Sequence, residues 1–262
     1  MRLSISNIAW DNEKDDEMYQ YLSHMGFTGI EIAPTRLVPD SPYDNIEKSV
    51  KIVKELNEKY MLNISSMQSI WFGRIESIFG TKEERDKLIT YTEKAVKYAE
   101  AIGCKNLVFG SPKNRNMDDK SKYSTAIEFF STLGELAQIN DVVIAVEPNP
   151  VIYNTNFLNT SIEGIKFVKE VNSKGLRVNL DLGTVIYNNE DLDEIMDDIE
   201  LINHIHISEP NLVQIEKRGL HNQLKDILRK KEYDRYVSIE MKNLNNIENV
   251  KKTVAYVKEV MQ

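Results

Sequence analysis

The sequence predicts an α/β fold of the (β/α)8 or TIM barrel class, formed by residues 1–262 as a single domain. Short apolar stretches alternate with amphipathic ones eight times, without a linker or a low-complexity segment. Such alternation is typical of a parallel sheet, and eight repeats are enough to close it into a barrel. The length of 262 residues is close to the usual size of such a barrel. Four of the apolar stretches also end in a carboxylate or an imidazole, at steps of 34, 25 and 34 residues.

The predicted strands are short and mostly apolar. An unbroken apolar run precedes Glu147, which indicates a strand buried on both faces, and Pro148 and Pro150 prevent it from continuing. The eight predicted strands are Leu3–Trp10, Gly29–Ile32, Leu62–Gln68, Lys105–Phe109, Val142–Val146, Leu176–Asp181, Ile202–His206 and Tyr236–Glu240.

A helix is predicted after each strand from helical spacing of apolar residues and from capping signals. Capping boxes are predicted at Asp44–Glu47, at Thr81–Glu84 and at Thr160–Glu163. The predicted helices are Asp15–Met25, Asn45–Tyr60, Thr81–Ile102, Lys120–Asn140, Thr160–Asn172, Leu192–Leu201, Leu220–Lys231 and Asn246–Met261. An open doubly wound sheet is the structural alternative, and it would separate the four polar strand ends instead of gathering them.

The four polar strand ends are Glu147, Asp181, His206 and Glu240. In a parallel barrel such side chains converge at the carboxyl face, where these folds hold their active sites. An ordinary polar strand terminus is the alternative for each residue taken alone, although carboxylates at the ends of apolar strands need a partner to offset desolvation. Three carboxylates and one imidazole suit one divalent metal ion such as Mn²⁺, Mg²⁺ or Co²⁺, and Zn²⁺ is compatible with them.

Glu147 and Glu240 are the candidates for acid–base catalysis. They end the fifth and eighth strands, so they can flank a substrate carbon from two sides, one removing a proton and the other returning it. A role for both as metal ligands only, with a different catalytic base, is the alternative.

The same residues carry a resemblance that covers essentially the whole chain. The segments Glu147–Pro150, Asp181–Thr184, His204–Pro210 and Ser238–Met241 resemble the xylose isomerase-like barrels, a group that contains sugar phosphate isomerases and epimerases, ketose 3-epimerases, inosose dehydratases and type 2 AP endonucleases. The resemblance implies that Glu147, Asp181, His206 and Glu240 bind the catalytic metal. In the epimerases of this group, the two glutamates also exchange the substrate proton.

The resemblance implies a sugar or sugar phosphate isomerase or epimerase that moves a proton at a carbon next to a carbonyl. An inosose-type dehydratase with the same metal site and a non-catalytic metabolite-binding barrel are the alternatives. Thr184 stands where many members have a histidine, and Tyr153 stands where ketose 3-epimerases have a second glutamate. The AP endonucleases use histidines at the ends of strands three and four, where this chain has Gln68 and Gly110.

Several further residues are candidates for contact with a sugar-like substrate, for which a rim, capping or packing role is the alternative. They are Glu31, Gln68, Glu209, His221, Trp10 and Lys242. A phosphate or carboxylate of the substrate has basic candidates in Lys113, Arg115, Arg74 and Lys242, which are otherwise solvated loop charges. His204 is predicted to point away from His206 toward the helices, as a structural histidine.

The composition excludes several classes of partner. Net charge is −8, with 41 acidic and 33 basic residues, which disfavours nucleic acid and anionic membranes. The single cysteine, Cys104, precludes an internal disulfide and is predicted to be buried. The amino terminus enters a strand directly and no long apolar run occurs, so we expect a cytoplasmic protein. Assembly into a homo-oligomer is compatible with these features.

Overall fold

The computed structural model describes residues 1–262 and contains eight parallel strands. The strands are β1 Arg2–Ile5, β2 Gly29–Ile32, β3 Asn63–Met67, β4 Asn106–Phe109, β5 Val143–Val146, β6 Leu176–Asp181, β7 Ile202–Ile207 and β8 Tyr236–Ile239. From β2 to β8 each strand pairs with the next one in the sequence, and β8 also pairs with β1. The remaining seam, between β1 and β2, is held by a bridge between Ser6 and Glu31. The sheet is therefore a nearly closed barrel, as predicted.

Helices surround the barrel on its outside. They are α1 Asp15–His24, α2 Pro34–Leu37, α3 Ile46–Tyr60, α4 Lys82–Ala101, α5 Tyr123–Ile139, α6 Ser161–Val171, α7 Leu182–Asn188, α8 Leu192–Met196, α9 Gly219–Lys230 and α10 Ile247–Met261. None of them combines the length and the apolar character that crossing a membrane requires. Every residue of β2, β4 and β8 is buried, because the barrel interior covers one face and the helices cover the other.

Three predictions about individual elements are wrong. The first strand ends at Ile5 instead of Trp10, because Ser6 caps a 3₁₀ turn over Asn7–Ala9. The segment after β6 forms α7 at once, whereas the sequence suggested no helix before Leu192. The capping box predicted at Asp44–Glu47 does not form, because Asp44 belongs to a 3₁₀ turn over Pro42–Asp44 and its carboxylate pairs with Lys94 at 2.8 Å, while α3 begins at Ile46.

The capping boxes at Thr81 and Thr160 are confirmed. In each, the threonine side chain accepts from the backbone N–H three residues later, and the glutamate at that position accepts in return. Cys104 is confirmed as buried, with its thiol donating to the carbonyl of Asn106 at 3.2 Å. Burial raises the pKa of this thiol to about 12, so it is not an activated nucleophile.

Candidate metal centre

The structure brings Glu147, Asp181, His206 and Glu240 together at the carboxyl end of the barrel. Glu147 and Glu240 directly follow β5 and β8, Asp181 is the last residue of β6, and His206 lies near the end of β7. One potential ligand atom from each residue lies within 4.8 Å of those of the other three. Strands of similar length in a parallel barrel end at one level, which is why residues separated by up to 93 positions meet. We call these residues the four-residue cluster.

His206 is at the centre of this cluster. Its Nδ1 lies 2.9 Å from Glu147 Oε1 and 3.2 Å from Glu240 Oε2. Its other ring nitrogen, Nε2, lies 2.9 Å from Glu31 Oε2. A carboxylate that accepts from one nitrogen of an imidazole directs the lone pair of the other nitrogen toward a ligand. Nδ1 is therefore the nitrogen available to a metal ion at the four-residue cluster.

The electrostatics of the cluster fit a divalent cation. Burial and the charge of Glu147 raise the pKa of Asp181 to about 6. Burial raises the pKa of Glu240 to about 7, because the hydrogen bond from His206 offsets only part of the desolvation and the charges of Glu147 and Glu31 add to it. Burial opposes protonation of His206, yet Glu31 and Glu240 raise its pKa well above the ordinary value. A divalent cation would relieve this carboxylate repulsion, and its preferred oxygen and imidazole donors are already assembled.

Neutral side chains hold the carboxylates in place. Asp181 Oδ1 accepts hydrogen bonds from the backbone N–H of Thr184 at 2.7 Å and from its hydroxyl at 3.0 Å, and Asp181 Oδ2 accepts from Ser208. Glu147 Oε1 accepts from the amide of Asn179 at 2.7 Å, and Glu147 Oε2 accepts from the amide of Asn149 at 3.2 Å. Sequence reasoning missed these supports, although Asn179 precedes Asp181 by two residues and must share its face of β6.

The prediction for His204 is wrong. Side chains alternate along a strand with a period of two, so His204 and His206 share one face and both point into the barrel. Glu31 lies between them: its Oε2 is 2.9 Å from Nε2 of each histidine, although His204 is poorly aligned for a hydrogen bond. Burial opposes ionisation of Glu31, but the two histidines more than offset it and lower its pKa. Glu31 is thus an ionised carboxylate enclosed behind the four-residue cluster.

A cavity of about 190 Å³ opens in front of the cluster. We call it the mouth cavity. Its lining consists of Glu147, Asp181 and Glu240 together with Gln68, Ser69, Val108, Gly110, Ser111, Pro112, Asn149, Tyr153 and Leu212. A β-carbon at Gly110 would lie 2.8 Å from Glu147 Oε2, so glycine keeps space open above this carboxylate. Pockets for drug-sized ligands start near 300 Å³, and the mouth cavity accordingly suits a smaller molecule.

Comparison with known proteins identifies the family. The sequence profile of the xylose isomerase-like TIM barrel family matches residues 19–260. The chain belongs to this family. Among solved structures, this xylose isomerase-like barrel is similar to 3-keto-D-glucoside 4-epimerase from E. coli, with 20% identity over 99% of both chains and a TM-score of 0.79. No curated protein sequence matches the chain.

Two further solved structures have the same fold. D-psicose 3-epimerase from Clostridium cellulolyticum H10 is 15% identical over 100% of both chains, with a TM-score of 0.79. The probable 3-DHS dehydratase from Bacillus anthracis is 15% identical over 100% of this chain and 98% of its own, with a TM-score of 0.71. At these identities the likeness concerns the xylose isomerase-like fold.

Of the six residues predicted to contact a substrate, the structure brings Gln68 to the mouth cavity. Glu31 is enclosed behind His206, and Lys242 has an exposed side chain outside the lining. Trp10 is buried at the barrel rim, where its indole N–H donates to Asp15 at 2.8 Å. None of these three residues lines the cavity, because each is engaged elsewhere or faces solvent.

Glu209 lies in the loop that follows β7, and His221 lies in the first turn of α9. Glu209 is buried and accepts two hydrogen bonds from Arg218, at 2.7 and 2.6 Å. His221 is buried between α9 and α10, with its Nδ1 2.8 Å from the hydroxyl of Tyr256. Both residues tie the loop to the helices of this xylose isomerase-like barrel and lie outside the mouth cavity.

Proposed function

We propose that the chain is a carbohydrate isomerase or epimerase that depends on a divalent cation and moves a proton at a carbon next to a carbonyl. The observation that carries the proposal is the arrangement of Glu147 and Glu240. They come from different strands, both line the mouth cavity, and both approach His206 Nδ1. The family and the fold shared with two sugar epimerases support a substrate of the sugar class.

The residues that would hold the cation are Glu147, Asp181, His206 and Glu240. The oxygen-rich donor set favours Mn²⁺, Mg²⁺ or Co²⁺, and Zn²⁺ also accepts such donors. When bound, a divalent cation polarises substrate oxygens and so acidifies the neighbouring C–H bond.

The proton transfer itself belongs to the two glutamates. Glu147 Oε2 faces the open space at Gly110 and is steadied by Asn149, which suits it to take a proton from a carbon in the mouth cavity. Glu240 reaches the same cavity from β8 and can return a proton from another side. Removal on one side and return on the other inverts a carbon, which is epimerisation. Return at the adjacent carbon, together with passage of the hydroxyl proton to the former carbonyl oxygen, interconverts a ketose and an aldose.

Deuterium exchange tests the proposal. The protein is incubated with Mn²⁺ and a panel of ketoses in D₂O, and products are followed by NMR. We expect deuterium at a carbon next to a carbonyl. A product that has lost water would instead support the dehydratase alternative, and tight sugar binding without exchange would support a binding barrel. Either of those outcomes overturns the isomerase or epimerase proposal.

A further inference from the structure

We propose that the mouth cavity takes an uncharged, unphosphorylated monosaccharide, and that Asn149, Tyr153 and Gln68 hold it through its hydroxyl groups. This inference rests on the isomerase or epimerase function proposed above, and it specifies which class of sugar the site binds. Three observations support it: the unused hydrogen-bonding groups of the lining, the negative charge of the four-residue cluster, and the absence of Lys and Arg from the residues that line the cavity.

The lining presents hydrogen-bonding groups whose capacity is unused. Asn149 is 7% exposed; its amide nitrogen donates to Glu147, whereas its Oδ1 has no partner. The hydroxyl of Tyr153 accepts from the backbone N–H of Asn211 at 2.9 Å, which leaves its own hydrogen to donate. Gln68 donates from Nε2 to Ser6, which leaves its carbonyl oxygen. Two acceptors and one donor around a small cavity match sugar hydroxyls, which both donate and accept.

The charge of the cluster opposes an anionic substrate. Glu147, Asp181 and Glu240 bring about three negative charges when ionised, so a divalent cation would still leave the cluster about one charge negative. A phosphate group in a cavity of about 190 Å³ would lie within a few ångströms of these carboxylates. Like charges at such distances repel by several kcal/mol at the effective dielectric of a protein surface. A neutral sugar avoids this repulsion.

None of the nearby cations lines the mouth cavity. Arg115 is fully buried and is not part of the lining; its Nη1 donates to the backbone carbonyl of Glu147 at 2.9 Å, and its Nε and Nη2 have no hydrogen-bond partner. Arg74 forms an ion pair with Glu76. Lys113 and Lys242 have exposed side chains, and neither belongs to the residues that line the mouth cavity. The four residues that the sequence suggested for a phosphate therefore do not present their charges to the site.

Two backbone N–H groups near the carboxyl ends of the strands already have carboxylate partners. The amino terminus of a helix is a ready anion site, and TIM barrels often place phosphate in the loops after the seventh and eighth strands. At α7, Asp181 accepts from the backbone N–H of Thr184 at 2.7 Å. In the loop after β7, Glu209 accepts from the backbone N–H of Glu216 at 3.1 Å. These two N–H groups are therefore not free to bind a phosphate.

Paired sugars test the proposal. D-fructose and D-tagatose are compared with their 6-phosphates, with D-psicose as a third free ketose, on the Mn²⁺-loaded protein. Binding is read from the shift in Tm and from calorimetry, and turnover is read from deuterium incorporation. We expect at least one free ketose to raise the Tm and to exchange deuterium. Its 6-phosphate is expected to be at least about tenfold weaker in both measurements.

Two variants sharpen this test. Tyr153→Phe removes the hydroxyl that we assign to the substrate, and we expect KM to rise about three- to tenfold while kcat changes less, as for loss of one neutral hydrogen bond. Ser111→Lys places a cation in the lining and should reduce the ratio of the affinity for the free ketose to the affinity for its 6-phosphate. Ser121→Lys adds the same charge at an exposed position away from the cavity and should leave the preference unchanged.

The outcomes separate the two proposals. A 6-phosphate that binds better or reacts faster than its free ketose overturns the neutral-sugar proposal, and deuterium incorporation into that 6-phosphate would support the isomerase or epimerase function. A free ketose that raises the Tm, with a weaker 6-phosphate and no deuterium incorporation, supports the neutral-sugar proposal and overturns the isomerase or epimerase function. If neither form of any ketose raises the Tm, the neutral-sugar proposal is overturned as well.

Discussion

At the scale of single residues, His206 joins two groups of buried side chains. One ring nitrogen faces Glu147 and Glu240, and the other faces Glu31. Because Glu31 is enclosed and ionised, it fixes the orientation of the ring and leaves Nδ1 for the four-residue cluster. The distance of 175 residues between Glu31 and His206 made this pairing invisible to any local sequence pattern.

Replacement of His206 by alanine should weaken metal binding while the fold is retained, because one of four donors and its support by Glu31 are lost together. Elemental analysis after dialysis against Mn²⁺ measures the effect, and far-UV circular dichroism checks the fold. The control is His24→Ala, which changes an exposed histidine. Equal metal content in the wild type and in His206→Ala would contradict the role of His206 as a ligand.

Glu147→Gln and Glu240→Gln should each lower turnover by at least about a hundredfold, the usual scale for losing a general acid or base. Each amide keeps the size of the side chain but cannot accept and release the proton. Turnover in D₂O and the proportion of folded protein are measured for both variants. Glu216→Gln alters an exposed glutamate on the loop after β7 and should stay within a few fold of the wild type. Near-normal rates for either cluster variant would refute the two-glutamate mechanism.

At the scale of elements, a local capping signal sets the start of a helix where the side chain of the capping residue is available to accept a hydrogen bond from the first helical turn. Thr81 and Thr160 form capping boxes as predicted, because each lies in extended backbone directly before its helix. The similar signal at Asp44–Glu47 fails, since Asp44 lies in the preceding 3₁₀ turn and pairs with Lys94. The early start of α7 has its own cause: Asp181 caps this helix while it remains part of the four-residue cluster.

Thr81→Ala should therefore lower the free energy of unfolding by about 1 kcal/mol, the typical cost of losing a helix cap. Thr90→Ala is a matched control in α4, because Thr90 is an exposed interior position of the same helix. Alanine is the better helix former there, so the control should be neutral or slightly stabilising. Urea unfolding measures both. A loss in Thr90→Ala equal to that in Thr81→Ala would contradict the capping explanation.

At the scale of the whole molecule, the pH dependence of stability involves His221, a buried histidine on α9 that contacts α10 and that burial keeps neutral. Burial lowers the pKa of His221, which contacts Tyr256 on α10, to about 4. The unfolded chain takes up this proton near the ordinary value of 6.5. The neutral form is favoured in the folded protein, so the contribution to stability is present above pH 6.5 and is lost as the pH falls toward 4.

His221→Gln should reduce the acid sensitivity of the fold. Between pH 7 and pH 4.5 we expect the wild type to lose about 2 kcal/mol more of its free energy of unfolding than the variant, because only the wild type has this proton uptake on unfolding. Urea unfolding of both proteins at the two pH values measures the difference. Parallel losses in the two proteins would show that His221 is not a source of acid sensitivity.

Much of the four-residue cluster could be predicted from the sequence, because its members end apolar strands and the barrel brings strand ends to one level. Gln68 was found by the same reasoning and does line the mouth cavity. Glu31, Trp10 and Lys242 were assigned to the site by their positions near strand ends, yet the structure gives them other surroundings. Position along a strand predicts the end of the barrel at which a side chain lies, but not which neighbours it contacts.

By itself, the sequence determined the alternation of strands and helices and the strand ends that carry carboxylates and an imidazole, because these follow from local periodicity and capping. Only the tertiary structure decided that Glu31 lies between His204 and His206, that Glu209 accepts from the backbone N–H of Glu216, and that Asn149 and Tyr153 line the mouth cavity. Those features depend on contacts between residues far apart in the chain and on the side-chain conformations that packing selects.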